Sequence, residues 1–309
     1  MRVLDQVIAE RLDTSVALIG QISRYIIAAG GKRLRPALVL LTAGALGVDS
    51  ADKYKLAAVV ELIHTATLLH DDVVDESTLR RGRATANETF GNPASVLVGD
   101  FLHTRSFQMM VEVGSLPILK VLSDATNVIA EGEVMQLINT HDADLTEEGY
   151  LHVIRSKTAK LFEASAQIAA QLAQASPEVE AACATYGQAL GTAFQIIDDV
   201  LDYDGNTQEM GKNLGDDLRE GKNTLPLIVA MQRANAEDAA LIRQAIEQGS
   251  TEQLPAILSI IRATGALDAT REAAHQEALR AIDALRTLPG NAHTQAMEQL
   301  ASQLLLRRT

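Results

Sequence analysis

The chain has no tryptophan, one cysteine and only 3% aromatic residues in a length of 309. A single cysteine, Cys183, excludes an internal disulfide and fits a reducing compartment. With so few rings, the interior must be filled by aliphatic side chains, and 47% of residues are hydrophobic, so a large core is available. Positive charge is short as well: the formal net charge of −13 argues against a general nucleic-acid binder. No apolar run reaches the length of a membrane span. The first thirteen residues mix charged and apolar side chains at helical spacing, without the apolar core of a signal peptide. A cytoplasmic protein with no transmembrane segment is expected. There is no Pro/Gly/Ser-rich linker, no block of like charges and no internal repeat, which predicts one domain over residues 1–309.

What is present is helical periodicity. The stretch Leu56–His70 is apolar almost all round, the pattern of a helix buried inside a bundle. Residues 162–175 and 184–201 read the same way, and period-two alternation is scarce. Breaks fall at Gly30-Gly31, at Gly82 to Pro93, at 139–149, at Ser176-Pro177, across 204–226, and at Leu288-Pro289-Gly290. Pro36 belongs in the first turn of a helix, where proline is tolerated. The expectation is an all-α bundle of about ten helices around buried central ones.

Two segments echo one another: LLHDDVVDES at 68–77 and FQIIDDVLDYD at 194–204. Asp fills 20 of 309 positions, so one chance DDxxD is expected in roughly one such sequence in twelve, and two in well under one in a hundred. Residues four apart share a helix face, so Asp71 stacks on Asp75 and Asp198 on Asp202. Such carboxylates repel unless a cation lies between them. Hard oxygen ligands of this kind suit Mg²⁺, which keeps several waters and bridges to substrate phosphates. One such motif alone is as often a solvated acidic helix end, which is how Asp216-Asp217 reads; two at the ends of apolar helices are not.

Basic residues cluster despite the acidic balance. Gly-Gly-Lys32-Arg33-Leu-Arg35-Pro36 lies at a helix start, Arg80-Arg81-Gly82-Arg83 follows the first acidic motif, and Lys157-Thr158, Lys212 and Lys222 lie in the second half. Any one is more often a solvated surface charge. Together with two metal-binding faces they point to two diphosphate sites, one through Mg²⁺ and one through Arg and Lys directly. His64 stands seven residues before Asp71, two turns back on one face. A lone His on an apolar helix is usually a core residue; this alignment favours a ligand contact, while His70 stays open between the two.

The motifs GGKRLRP, ELIHTATLLHDDVVDESTLRRGRATAN, GDFL, SKTAKLF, GTAFQIIDDVLDY and GKNLGDDLREGKNTLP, in order over about residues 30–230, resemble the trans-isoprenyl diphosphate synthases. Around the first motif the similarity is to the long-chain octaprenyl/nonaprenyl members that make quinone side chains. The resemblance implies an all-α bundle around a deep central cavity and a homodimer. It implies Mg²⁺, three ions with substrate bound, on Asp71, Asp75 and Asp198, with Asp72, Asp199 and Asp202 as further ligands or support. Arg80, Lys157, Thr158, Gln195, Lys212 and Lys222 would hold the allylic diphosphate and line the reacting centre. Lys32, Arg35, His64 and Arg81 would bind isopentenyl diphosphate. The Arg80–Asn87 loop and residues 204–223 are expected as mobile covers, and product release implies transient contact with a membrane.

Product length should be set below Asp71, where short-chain members of that family carry bulky aromatics and this chain has Ala66 and Thr67. From Val60 to Asp71 is roughly 16 Å at the helical rise, so a long product must continue past this helix. Met109, Met110, Leu122 and Met135 are candidates for the floor, although each taken singly reads as ordinary core packing. A shorter-chain synthase, a terpene cyclase or head-to-head condensing enzyme, and a non-catalytic subunit of a heteromeric synthase are the rival readings. The intact second motif and the GGKRLRP segment weigh against the last two.

Overall fold

The computed structural model describes residues 1–204 and 214–306. Helix makes up 78% of the chain, so the fold is all-α. In order, the helices are α1 Arg2–Arg11, α2 Ala17–Ala28, α3 Leu34–Ala45, α4 Asp52–Val74, α5 Ala86–Phe90, α6 Asn92–Val113, α7 Leu116–Asn139 and α8 Glu147–Ile154. They continue as α9 Lys160–Leu172, α10 Pro177–Asp204, α11 Asp216–Arg219, α12 Leu225–Arg233, α13 Ala236–Gln248, α14 Leu254–Ala263, α15 Ala266–Ala284 and α16 Ala292–Leu304. The described residues thus hold more helices than the expected ten, because glycine and proline cut the C-terminal third into short pieces. Gly249 and Gly265, both at positive φ, close α13 and open α15. Pro226 and Pro255 sit in first turns, where no backbone donor is lost.

Two departures from simple helix bear on the site. Leu79–Arg80 (β1) pairs antiparallel with Arg83–Ala84 (β2). Arg81 and Gly82 between them both take positive φ, 53° and 73°, as a two-residue type I′ hairpin turn requires. Four residues are too few for the period-two signal that marks a strand in sequence. Secondly, Arg155–Ala159, between α8 and α9, is a π-helical turn, a form rare in general and frequent at functional sites.

The chain forms two compact units, residues 1–126, 161–184 and 286–297 in the first, and 127–160, 185–285 and those from 298 in the second. In the first, α4 is the central helix: Leu56–Val60, Leu62, Ile63 and Leu69 are fully buried. It packs lengthwise against α6 and on α3 and α1. Ser95 Oγ of α6 donates to the Leu69 carbonyl at 2.9 Å, and Gly99 lets α6 approach so closely that a Cβ there would meet His70 Nε2 at 2.3 Å. In the second unit, Ile196, Ile197, Val200 and Leu201 of α10 form a core with Leu227, Ile228, Ile242, Ile246, Ile257 and Ile261. Each fully buried side chain of this size stabilises the fold by about 1.5–3 kcal/mol relative to exposure. Buried aliphatic rows hold the ends of α4 and α10 in place, and those ends carry the two acidic motifs. Among the described residues no helix is long and apolar enough to cross a membrane.

Candidate active site

In the first unit, the basic motif before α3 and the hairpin after α4 meet. Arg33, at φ 49° and ψ 37°, begins α3 in the left-handed region, and Pro36 falls in the helix's first turn as expected. Gly31, at φ 150°, lies against the Arg81 guanidinium: a Cβ at Gly31 would stand 2.7 Å from Nη1 and 2.8 Å from Nη2. Arg35 Nη1 donates to His64 Nε2 at 3.2 Å, and the Arg35 guanidinium lies 4.5 Å from the centre of the Phe162 ring. A guanidinium cannot accept, so His64 takes this bond as a neutral ring protonated on Nδ1. Burial, reinforced by the charges of Arg35, Arg80, Arg81 and Arg33, holds the His64 imidazole well below its usual range. Burial also lowers Arg35, to about 10, against the pull of Glu61.

One carboxylate enters this cationic group. Glu61, buried on α4 one turn before His64, pairs with Arg33 at 2.8 Å. Burial pushes its carboxyl up, while Arg33, Arg35 and Arg81 pull it down. It is a charge in an otherwise apolar stretch, which was its signal in the sequence.

Beside the cluster, Asp71 and Asp75 are half-buried and one turn apart, the Asp75 N–H donating to the Asp71 carbonyl at 2.8 Å. Asp72 is fully buried, and both its oxygens accept from Arg80: Nε at 2.9 and 3.1 Å, Nη2 at 2.6 Å. Ala66 is buried and Thr67 half-buried; the Thr67 hydroxyl donates to the His64 carbonyl at 2.9 Å. Met109, Met110 and Leu122 are buried in the same unit.

In the second unit, the π-turn carries Lys157 and Thr158. Lys157 pairs with Glu133 at 2.6 Å, and Gly132 admits the turn so closely that a Cβ would meet the Lys157 nitrogen at 2.7 Å. A hydrogen-bond chain runs from there to the second acidic motif: Thr158 Oγ1 donates to Gln195 Oε1 at 3.0 Å, and Gln195 Nε2 to Asp199 Oδ1 at 2.7 Å. Tyr150 Oη donates to Asp199 Oδ2 at 2.5 Å. Both Tyr150 and Asp199 are buried, and burial, with the charge of Asp217, pushes the Asp199 carboxyl well above the usual range against those two hydrogen bonds. Asp198 is half-buried, whereas Asp202 is buried and accepts from the Asp217 N–H at 3.2 Å, so it also anchors α11. Lys222 Nζ lies 2.6 Å from Glu220 Oε2. Met135 is half-buried, and Lys212 lies outside the described residues. Neither Tyr150 nor Glu133 carried a sequence signal, since both became partners only through long-range folding.

Residues 16–261 match the polyprenyl synthetase family model. The chain belongs to this family. It is 54% identical to octaprenyl diphosphate synthase of Escherichia coli K12 over 95% of its own length and 91% of that protein. It is 47% identical to the all-trans-nonaprenyl-diphosphate synthase (geranyl-diphosphate specific) of Rhodobacter capsulatus, over 98% and 94%. A polyprenyl synthase of Caulobacter crescentus CB15, crystallised with calcium and isoprenyl diphosphate, superposes with a TM-score of 0.96 at 45% identity, covering 99% of this chain and 94% of that one. As a polyprenyl synthetase the chain is a trans-prenyltransferase, and the family is of the Mg²⁺-dependent type.

The donor set fits such an ion. Among the described residues no three carboxylate, imidazole or thiol groups enclose a cation by themselves. Mg²⁺ is ordinarily held by one or two carboxylates, waters and substrate phosphates, so the Asp71–Asp75 pair is the right kind of half-site.

Proposed function

We propose that the chain is a long-chain trans-polyprenyl diphosphate synthase, adding isopentenyl diphosphate by repeated 1′–4 condensation to an allylic diphosphate such as farnesyl diphosphate. The octaprenyl or nonaprenyl product would supply a ubiquinone or menaquinone side chain. The observation that carries this reading is the cationic group of Arg33, Arg35 and Arg81 around neutral His64, built on the helix that ends in Asp71 and Asp75. A cyclase has no use for a second, directly basic diphosphate site.

Arg35 and Arg81, with Lys32 and His64, hold the diphosphate of isopentenyl diphosphate through charge-assisted bonds. His64 stays neutral there, so its Nδ1 proton is available to donate while Nε2 remains engaged by Arg35. Arg80, fixed by Asp72, holds the allylic diphosphate with Lys157, Thr158, Gln195, Lys212 and Lys222. Asp71, Asp75 and Asp198, with Asp202 in support, would hold Mg²⁺, three ions in the loaded enzyme, and the metal would supply charge neutralisation of the leaving group. The allylic C1–O bond breaks and its electron pair leaves with the diphosphate. The isopentenyl double bond supplies the pair for the new C–C bond, and a proton passes to the released diphosphate. Gln195, oriented by Asp199, presents its amide dipole near Thr158, and such fixed dipoles stabilise developing positive charge without reorganising. Water must be excluded, since it would quench the cation; the 80–87 segment would close the site, while the cover expected at 204–223 falls in part outside the described residues. The small side chains Ala66 and Thr67 leave room for the product, with Met110 and Met135 toward its floor. We place the enzyme in the cytoplasm as a homodimer of single-domain chains.

The test is to incubate the purified chain with Mg²⁺, farnesyl diphosphate and labelled isopentenyl diphosphate and to size the dephosphorylated product. An octaprenyl or nonaprenyl alcohol is expected. A product stopping at geranylgeranyl length supports a short-chain synthase, and turnover of farnesyl diphosphate alone supports a cyclase. An inactive single chain supports the non-catalytic subunit.

A further inference from the structure

His141 stands in the connection between α7 and α8, far in sequence from any motif, yet it makes four separate contacts with the Lys222 loop and its support. Its backbone is left-handed at φ 66°. Its N–H donates to the Gly221 carbonyl at 2.8 Å, and its ring Nδ1 donates to the Ile246 carbonyl at 2.9 Å. The ring occupies space that only glycine leaves: a Cβ at Gly221 would meet Nδ1 at 2.4 Å, and one at Gly249 would meet Cε1 at 3.0 Å. On the other side of Lys222, Asn223 Nδ2 donates to the carbonyl of Asp142 at 3.3 Å. Both neighbours of Lys222 are therefore tied to one dipeptide, His141-Asp142, and that dipeptide is tied to the C-terminal end of α13. The Lys222 N–H itself donates to the Asp217 carbonyl at 2.8 Å, so its backbone is fixed on every side.

We infer that His141 is a positioning residue for Lys222, holding the 221–223 backbone so that the lysine meets the allylic diphosphate. This rests on the proposed role of Lys222. A purely packing role does not explain the pattern. The imidazole is exposed on one side rather than sealed in the core, two glycines with φ 70° and 57° accommodate it, and the backbone bonds of His141 and Asp142 flank one cationic residue. A lysine on a short loop is a flexible point charge, and a site on loops gains precision only from a supporting shell.

The experiment is a double-mutant cycle on the full chain with Mg²⁺, reading KM for farnesyl diphosphate and for isopentenyl diphosphate separately from kcat. His141→Ala should raise the allylic KM by about tenfold, the scale of one charged hydrogen bond misplaced, and leave the isopentenyl KM within about twofold. His141→Asn should recover most of the loss, because Asn tolerates positive φ and its amide nitrogen can reach the Ile246 carbonyl as Nδ1 does. In a Lys222→Ala background, His141→Ala should add nothing. Independent, multiplying effects would overturn the inference, as would an equal rise in both KM values or no rescue by Asn. Should His141→Ala not fold, the His141→Asn and Gly221→Ala enzymes complete the cycle: Gly221→Ala should imitate the loss, and an unchanged allylic KM there would overturn it. Lys222→Ala with an unaltered allylic KM is a different failure, one of the diphosphate-site reading itself.

Discussion

Gly31→Ala is the sharpest probe of the proposed isopentenyl site. The new methyl would lie 2.7 Å from Arg81 Nη1, 2.8 Å from Nη2 and 3.0 Å from Cζ. Ordinary contact distance is about 3.5 Å, so the guanidinium must retreat by roughly 0.8 Å. An arginine tip is flexible, so the clash is relieved by moving the charge and not by unfolding the backbone. Keeping φ at 150° with a side chain adds strain on the order of 1–3 kcal/mol. An arginine–phosphate bond contributes about 1.5–3 kcal/mol, so its misplacement should raise the isopentenyl KM about 10- to 100-fold. The allylic KM should stay within about twofold, because Arg80 is held separately by Asp72. The melting midpoint should fall by about 2–4 °C for each kcal/mol of strain. Arg81→Ala should reproduce the kinetic defect, and the double variant should be no worse than Arg81→Ala alone. A lowered midpoint with an unchanged isopentenyl KM would refute the reasoning, showing that Gly31 serves only the backbone.

Tyr150→Phe removes the 2.5 Å donor to Asp199 and leaves the Gln195 amide donating to it. It should lower kcat by about tenfold with the isopentenyl KM unaltered, and destabilise by about 1–3 kcal/mol in a chemical denaturation curve; an unchanged kcat contradicts the network. Ala66→Phe or Ala66→Tyr should shift the product to farnesyl or geranylgeranyl length, with about 1–3 kcal/mol lost to overpacking. Chromatography still showing the long chain would remove Ala66 from the list of length determinants. His64 gives a pH prediction with a defined sign. Its folded value lies well below the usual 6.5, so the unfolded chain binds the extra proton first. Its contribution is fully present above about pH 6.5 and declines as pH falls. His64→Gln should therefore lose less of its melting midpoint between about pH 7 and pH 5 than the parent does; an equal or steeper loss argues against a neutral His64.

Much of this was readable in sequence because it depends on local periodicity. Leu56–His70 is apolar almost all round, and in α4 that stretch is buried apart from the half-buried His64, Thr67, Leu68 and His70. The i, i+4 spacing put Asp71 and Asp75 on one face, and a helical bond continues to Asp75. Pro36 marked the first turn of α3. Contacts made across long sequence separations left no such trace. Tyr150 meets Asp199 from 49 residues away, and His141 meets Ile246 from 105. Lys157 and Thr158 were legible by resemblance, but their π-turn was not, since RSKTA has no composition that departs from α-helix.

The middle aspartates of the two motifs show why a carboxylate pattern says less than it seems to about ligands. In DDxxD on a helix, the second Asp points about 100° away from the first and about 60° away from the fifth. Asp72 and Asp199 accordingly turn inward, at 0% and 3% exposure. An unpaired buried charge costs several kcal/mol, so each needs donors from its own unit. Asp72 takes Arg80, a cation, by two nitrogens; Asp199 takes the neutral donors Tyr150 and Gln195 and has its carboxyl pushed up. The same letters thus do different work: one middle aspartate fixes the arginine proposed for the allylic diphosphate, the other fixes an amide. Removing either should leave the outer pair intact and disturb the residue it holds. A mutation series across the motifs should be read by which partner is set loose, not by the loss of a metal ligand alone.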